Sequence, residues 1–262
     1  MRKLPVFAAL GHVAKSAIHN IGFAFQISWP WMIPVLLVNL SGNIYFSIYG
    51  NPDPLQNMSP VVMFTLATVL MTIIAYASIA VNWHRYILLD EVATGWSRLR
   101  IDKLTWRYIG NIIGIFLLML IAVLVVMIPA GLFFLTQVGP LIFVGAFIYL
   151  VGIVFISVSS YRLSVKLPSI ALGRKDFRLR DAWDSTRDNF WQLLGLFFLF
   201  GLIVITFFGV TIGLTVTATA SGGTLLLSIL VAIELLVNWL TTILGVTLLT
   251  SLYGFFVEGR DF

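Results

Sequence analysis

One carboxylate stands inside a long apolar run of this 262-residue chain: Glu234, within Thr224–Thr250. At the depth such a run occupies in a bilayer, a carboxyl group can relay a proton, hold a cation or, uncharged, donate a hydrogen bond to a neighbouring helix. Asn238, Thr241 and Gly245 follow it at i+4, i+7 and i+11, so on a helix the four share one face. A second stripe of the same kind, Thr65, Thr68, Thr72, Ala75 and Asn82, runs along another apolar segment. The two stripes admit two readings. They face each other across a hydrated path, or each is a packing seam where small residues let helices approach, which is the commoner role. A charge at mid-span costs about 2.5–3.5 kcal/mol, against a gain of about 0.3–0.6 for each central Leu, Ile or Val, so the run around Glu234 carries it under either reading.

Other chemistry-bearing residues are few. His84 and Arg85 close the second apolar segment, where they are candidates to contact a lipid phosphate, or to act simply as a basic anchor. His12 and His19, at i,i+7 near the start, have the spacing to share a metal, but with no carboxylate beside them they read as a solvated face. No catalytic residue and no metal set emerge. The sequence contains no phosphate-binding glycine loop, no G-x-S-x-G, no H-E-x-x-H and no paired intramembrane carboxylates. With no cysteine, thiolate chemistry, disulfides and Cys-bound metals are excluded. No cofactor is expected.

These residues must be positioned by membrane helices. The chain is 60% hydrophobic and 10% charged, whereas a soluble domain carries about 25% charged residues. A helix needs about 20 apolar residues to cross the hydrocarbon. Six stretches qualify: Ile27–Tyr49, Val61–Trp83, Ile109–Leu135, Pro140–Tyr161, Phe190–Thr215 and Thr224–Thr250. None shows the period-2 alternation of a barrel strand, so the fold class is all-α, a polytopic membrane helical bundle. Residues 1–262 form one integral membrane domain with loops too short to fold alone.

The net charge of +5 is a topological signal and does not point to nucleic acid. All 16 Lys and Arg lie before the first span, between the second and third, between the fourth and fifth, or after the sixth. The opposite loops hold one acid, Asp53, and no base. The positive-inside rule makes the basic side cytoplasmic, with both termini there. Trp29, Trp31, Trp83, Tyr86, Trp106, Tyr161, Trp191 and Tyr253 cluster towards the same side, as an interfacial aromatic belt would.

Residues 1–26 read as an interfacial helix and not a signal peptide, because His12 and Lys15 interrupt the apolar run. His12, Lys15, Ser16 and His19 share one face; Phe7, Ala14, Ile18 and Ile21 fall largely on another. Gly145, Gly152 and Ser159, and the pair Gly209 and Gly213, read as close-packing faces. Pro30, Pro34 and Pro129 lie within spans and predict bends.

The chain also repeats itself. Asn20, Asn111 and Asn189 each stand where a polar stretch turns into a span, and the segment from His84 to Gly95 resembles that from Tyr161 to Gly173 with one insertion. Three hairpin repeats follow, each an amphipathic approach, an outward helix and a returning one. The clearest approach is Leu179–Leu194, apolar at Leu179, Ala182, Trp183, Thr186, Phe190 and Leu193, with Arg180, Asp181, Asp184, Arg187 and Asp188 opposite.

The segment from Ala171 through Gly173, Ala182-Trp183, Thr186 and Asn189 to Trp191 resembles the cytoplasmic loop of YciC-type and related bacterial inner-membrane proteins. That resemblance implies a six-span fold in a bacterial cytoplasmic membrane. It carries no functional residue. The expected function is a non-enzymatic structural or accessory membrane component, with the lipid bilayer and a membrane protein partner or homo-oligomer as its contacts. The alternative is a small-solute or proton-coupled transporter using Glu234 and Asn238.

Overall fold

A computed structural model of the chain describes residues 2–49, 58–221 and 224–262. The described residues form helices α1 (Val6–His19), α2 (Ile21–Tyr49), α3 (Met58–Leu89), α4 (Lys103–Leu135), α5 (Gly139–Ser164), α6 (Lys166–Ala171), α7 (Leu179–Ser185), α8 (Phe190–Ser221) and α9 (Thr224–Phe256), with a 3₁₀ turn at Gly95–Arg98 and no strand. Six of these, α2, α3, α4, α5, α8 and α9, are long and apolar enough to cross a membrane. The all-α bundle read from the sequence is therefore the architecture. Asp53 and the loop around it lie outside the described residues.

Five of the long helices outrun their apolar stretches at the basic end: α3 continues through Leu89 and α9 through Phe256, while α8 starts with its stretch at Phe190. The 33 residues of α4 span about 50 Å, well beyond a hydrocarbon core of about 30 Å. In the extra turns His84, Arg85 and Tyr108 find hydrogen-bond partners inside the protein.

Antiparallel pairs α2–α3, α4–α5 and α8–α9 make three hairpins, and contacts of α3 with α4, α5 with α8 and α9 with α3 close them into a ring. The ring is only roughly threefold, since α3 alone serves both neighbours of its hairpin. Backbone conformation marks the repeat as well. Gly95, Gly173 and Gly259 follow the three returning helices and take φ of +55°, +80° and +72°, a region open to glycine at no steric penalty. The last two open matching sequences, Gly173-Arg174-Lys175-Asp176-Phe177 and Gly259-Arg260-Asp261-Phe262.

Packing is uneven along the spans. Two clusters of buried side chains lie toward the basic end: one joins Ala24 and Ile27 of α2, Ala77 to Trp83 of α3, Tyr108 of α4 and Val246 of α9. The other joins Val13 of α1, Val158 of α5, Leu193 and Leu196 of α8 and Leu248 and Leu252 of α9. Toward the opposite end large apolar side chains such as Leu66, Leu70, Phe147, Ile205 and Leu236 are exposed. Small residues make the tight seams, as expected where lipid removes the hydrophobic drive between helices. A Cβ on Gly152 would stand 2.3 Å from a Val126 methyl, and one on Gly145 2.9 Å from the Ala130 carbonyl. Gly209 and Gly213 behave differently: a Cβ at either would meet nothing within 4 Å, so that pair is no seam within the chain.

Two further expectations are corrected. Leu179–Leu194 is not one helix; α7 ends at Ser185, Asp188 takes φ 66°, and α8 starts at Phe190. The break occurs because the Asn189 side chain is turned to the N-terminal segment, accepting from the Leu4 N–H at 2.8 Å and donating to the Arg2 carbonyl at 3.0 Å. The aromatic belt also divides. Trp29, Trp106 and Trp191 are exposed, but Trp31, Trp83 and Tyr253 are buried. Trp31 is drawn inward by its indole N–H, which donates to Ser78 Oγ at 2.9 Å.

Candidate functional site

Polar side chains gather in two places, and they differ in whether their bonding capacity is used. The first is the junction of the three hairpins at the basic end. His84 of α3 is fully buried, with Nδ1 2.8 Å from Thr250 Oγ1 of α9 and Nε2 3.1 Å from the Tyr108 hydroxyl of α4. The Thr250 hydroxyl proton is committed to the Val246 carbonyl at 2.8 Å. Thr250 therefore accepts from Nδ1–H, and Nε2 accepts from Tyr108, which assigns a neutral imidazole with its proton on Nδ1. Two residues earlier on α3, Asn82 donates to the carbonyls of Ser97 and Arg98 at 3.2 and 3.1 Å, fixing the 3₁₀ turn against the helix.

Arg85 extends the junction outward. Its Nη1 donates to the Ala171 carbonyl at 2.9 Å and its Nε to Glu91 at 2.8 Å, and Arg100 reaches the other Glu91 oxygen at 2.8 Å. The hydrogen bond from Arg85 first, then those charges and Arg100 together, outweigh partial desolvation and hold the Glu91 carboxyl down at about 2. On the far side Arg162 donates to Thr186 Oγ1 at 2.9 Å and stacks over the Trp183 ring at 3.6 Å. Arg260 donates to the Leu88 carbonyl at 3.1 Å, tying the C-terminal segment to α3.

The lipid-phosphate expectation for His84 and Arg85 does not survive this geometry. His84 has no exposed surface, and the Arg85 guanidinium is occupied by Glu91 and a carbonyl. A histidine one residue beyond an apolar run looks interfacial in sequence, but here Tyr108 and Thr250 from two other hairpins close over it.

The second place is α9. Glu234 and Asn238 are exposed and Thr241 is half-buried. The Thr241 hydroxyl is returned to its own helix, 2.9 Å from the Val237 and Asn238 carbonyls. Among the described residues no side-chain hydrogen bond or ion pair reaches the Glu234 carboxyl or the Asn238 amide. On α3, Thr65 and Thr72 are exposed, and Asn82 is bonded to the 3₁₀ turn. Among the described residues no hydrogen bond or ion pair links Glu234 or Asn238 to the α3 stripe. His12 and His19 are separate too, His12 lying against the Phe262 ring at 5.4 Å while His19 Nδ1 sits 2.8 Å from the Lys15 carbonyl. Among the described residues no group of three His, Asp or Glu is placed to hold a metal ion.

Sequence reading missed the Glu91, Arg85, Arg100 cluster and the C-terminal clasp. The recurrence of Gly-Arg-Lys-Asp-Phe as Gly-Arg-Asp-Phe was the available signal for the clasp. No family model, curated protein or solved structure matches the chain.

Proposed function

We propose that this protein is a non-catalytic accessory component of a membrane assembly, in a bacterial cytoplasmic membrane with its basic side and both termini in the cytoplasm. The carrying observation is the placement of Glu234 with Asn238: the polar pair of α9 is exposed, and among the described residues no hydrogen bond or ion pair reaches either side chain. A polar group left unsatisfied in hydrocarbon is costly whether charged or neutral, so such a group is offered to a neighbour in the bilayer. At the hairpin junction the opposite holds. His84, Asn82, Asn189 and Arg85 each bond another segment of the chain, which is what a rigid support requires and leaves little chemistry free.

Transport through Glu234 is the competing reading; the bonding of Asn82, the last polar member of the α3 stripe, to the 3₁₀ turn favours the accessory one. Native mass spectrometry on protein extracted gently from its own membrane tests the proposal. The expected result is a stoichiometric protein assembly. A lone protomer carrying a defined solute, with uptake of that solute abolished by Glu234→Gln at normal protein abundance, would replace it with transport.

A further inference from the structure

The neighbour that α9 accepts can be named from the chemistry of the stripe. We infer that it is a second copy of this chain, packed α9 against α9 about a twofold axis along the membrane normal, with Glu234 and Asn238 meeting their own counterparts. The inference rests on the accessory reading and deepens it by naming the partner.

Three observations lead there. The first is self-complementarity. In a parallel isologous pair each residue faces its own copy at the same depth. An uncharged carboxylic acid and a carboxamide each carry donor and acceptor, so both can bond their own kind; a fixed charge cannot. All 16 Lys and Arg lie outside the apolar core of the spans, so a second copy has no cation to offer Glu234 from another helix. With no cation to meet, an acid and an amide that face their own copies can bond each other across the twofold axis.

The second is space. Gly245 lies on the same line as Glu234, Asn238 and Thr241, and a Cβ there would meet nothing within 4 Å of this chain. The opening lets another backbone come close, as small residues do at membrane helix interfaces. The third is continuity. Leu248 and Leu252 extend the line toward the basic end, where they are buried with Leu4, Ala9 and Val13 and with Leu193 and Leu196 of α8. This face of α9 is thus covered by its own chain at Leu248 and Leu252, and again at Leu230, while between them Glu234 and Asn238 are exposed and Thr241 and Gly245 half-buried.

The chain has no cysteine, so single cysteines report this contact directly. Thr241→Cys and Gly245→Cys probe the stripe, while Leu236→Cys and Leu240→Cys probe exposed positions about half a turn round α9. After mild oxidation of native membranes, disulfide-linked dimers are expected from the first two and not from the second two. Combining Thr241→Cys with Glu234→Leu and Asn238→Leu should lower the dimer yield about tenfold, because the bonded groups are gone. Glu234→Gln, which keeps a donor and an acceptor, should retain it. No dimer at the stripe, equal yields on both faces, or a cross-link to a different protein would each overturn the inference; the last would leave the accessory reading standing. Glu234-dependent solute flux from a cross-linkable dimer would do the reverse.

Discussion

Glu91 shows how local chemistry holds a loop of this protein in place. It stands between α3 and the 3₁₀ turn, and its two oxygens are divided between Arg85 and Arg100. The folded chain lowers its pKa from 4.5 to about 2, so the unfolded chain binds the proton more readily. Its contribution to stability is therefore complete above about pH 4.5 and is lost as pH falls toward 2. The difference in thermal unfolding midpoint between the wild type and Glu91→Gln should be constant near neutrality and shrink through that acid window. A difference that persists unchanged at the acid end would show that the cluster acts through packing and not through charge. Glu91 carried no motif in sequence. Its partners lie six and nine residues away across a turn whose geometry the side chains themselves create.

Among elements, the α4–α5 hairpin is the one whose packing depends most on absent side chains. The spacing of Gly145, Gly152 and Ser159 already marked a packing face in sequence, and all three are buried. Gly209 and Gly213 carried the same mark, yet they face open space. The difference is partner availability: Val126 comes down onto Gly152, whereas no helix of this chain lies over the α8 pair. Gly152→Ala should destabilise the detergent-solubilised protein by about 1–3 kcal/mol, since its Cβ collides with a β-branched neighbour that has one favoured rotamer. Gly213→Ala should change it by about 0.5 kcal/mol or less. Thermal unfolding of both variants checks this; equal effects would mean that the α4–α5 seam is looser than its contacts imply. The same reasoning explains why Leu179–Leu194 reads as one helix but folds as two. Its 3.6-residue pattern is continuous, and only the demand of the N-terminal segment for Asn189 breaks it.

At the scale of the whole molecule, three hairpins are joined at one end and spread at the other. The joint is polar as well as apolar, with His84, Thr250 and Tyr108 contributed by different hairpins. The orientation proposed from charge is simple to test in a cysteine-free chain. A cysteine replacing Val138, exposed in the α4–α5 turn, should react with a membrane-impermeant maleimide in intact cells; one replacing Trp96, 88% exposed in the 3₁₀ turn, should react only after lysis. The opposite pattern would place the basic side outside. The sequence by itself determined the membrane class, the six spans, the hairpin order and the basic side, because each depends on composition and periodicity summed over many residues. Tertiary structure alone decided which polar residues are satisfied. His84 and Glu234 look alike in the string, each a titratable group set at or within an apolar run, and the fold buries one among partners while leaving the other exposed, with no side-chain hydrogen bond or ion pair among the described residues. Which of the two outcomes a residue meets depends on helices distant in sequence, and local pattern holds no record of where those helices come to rest.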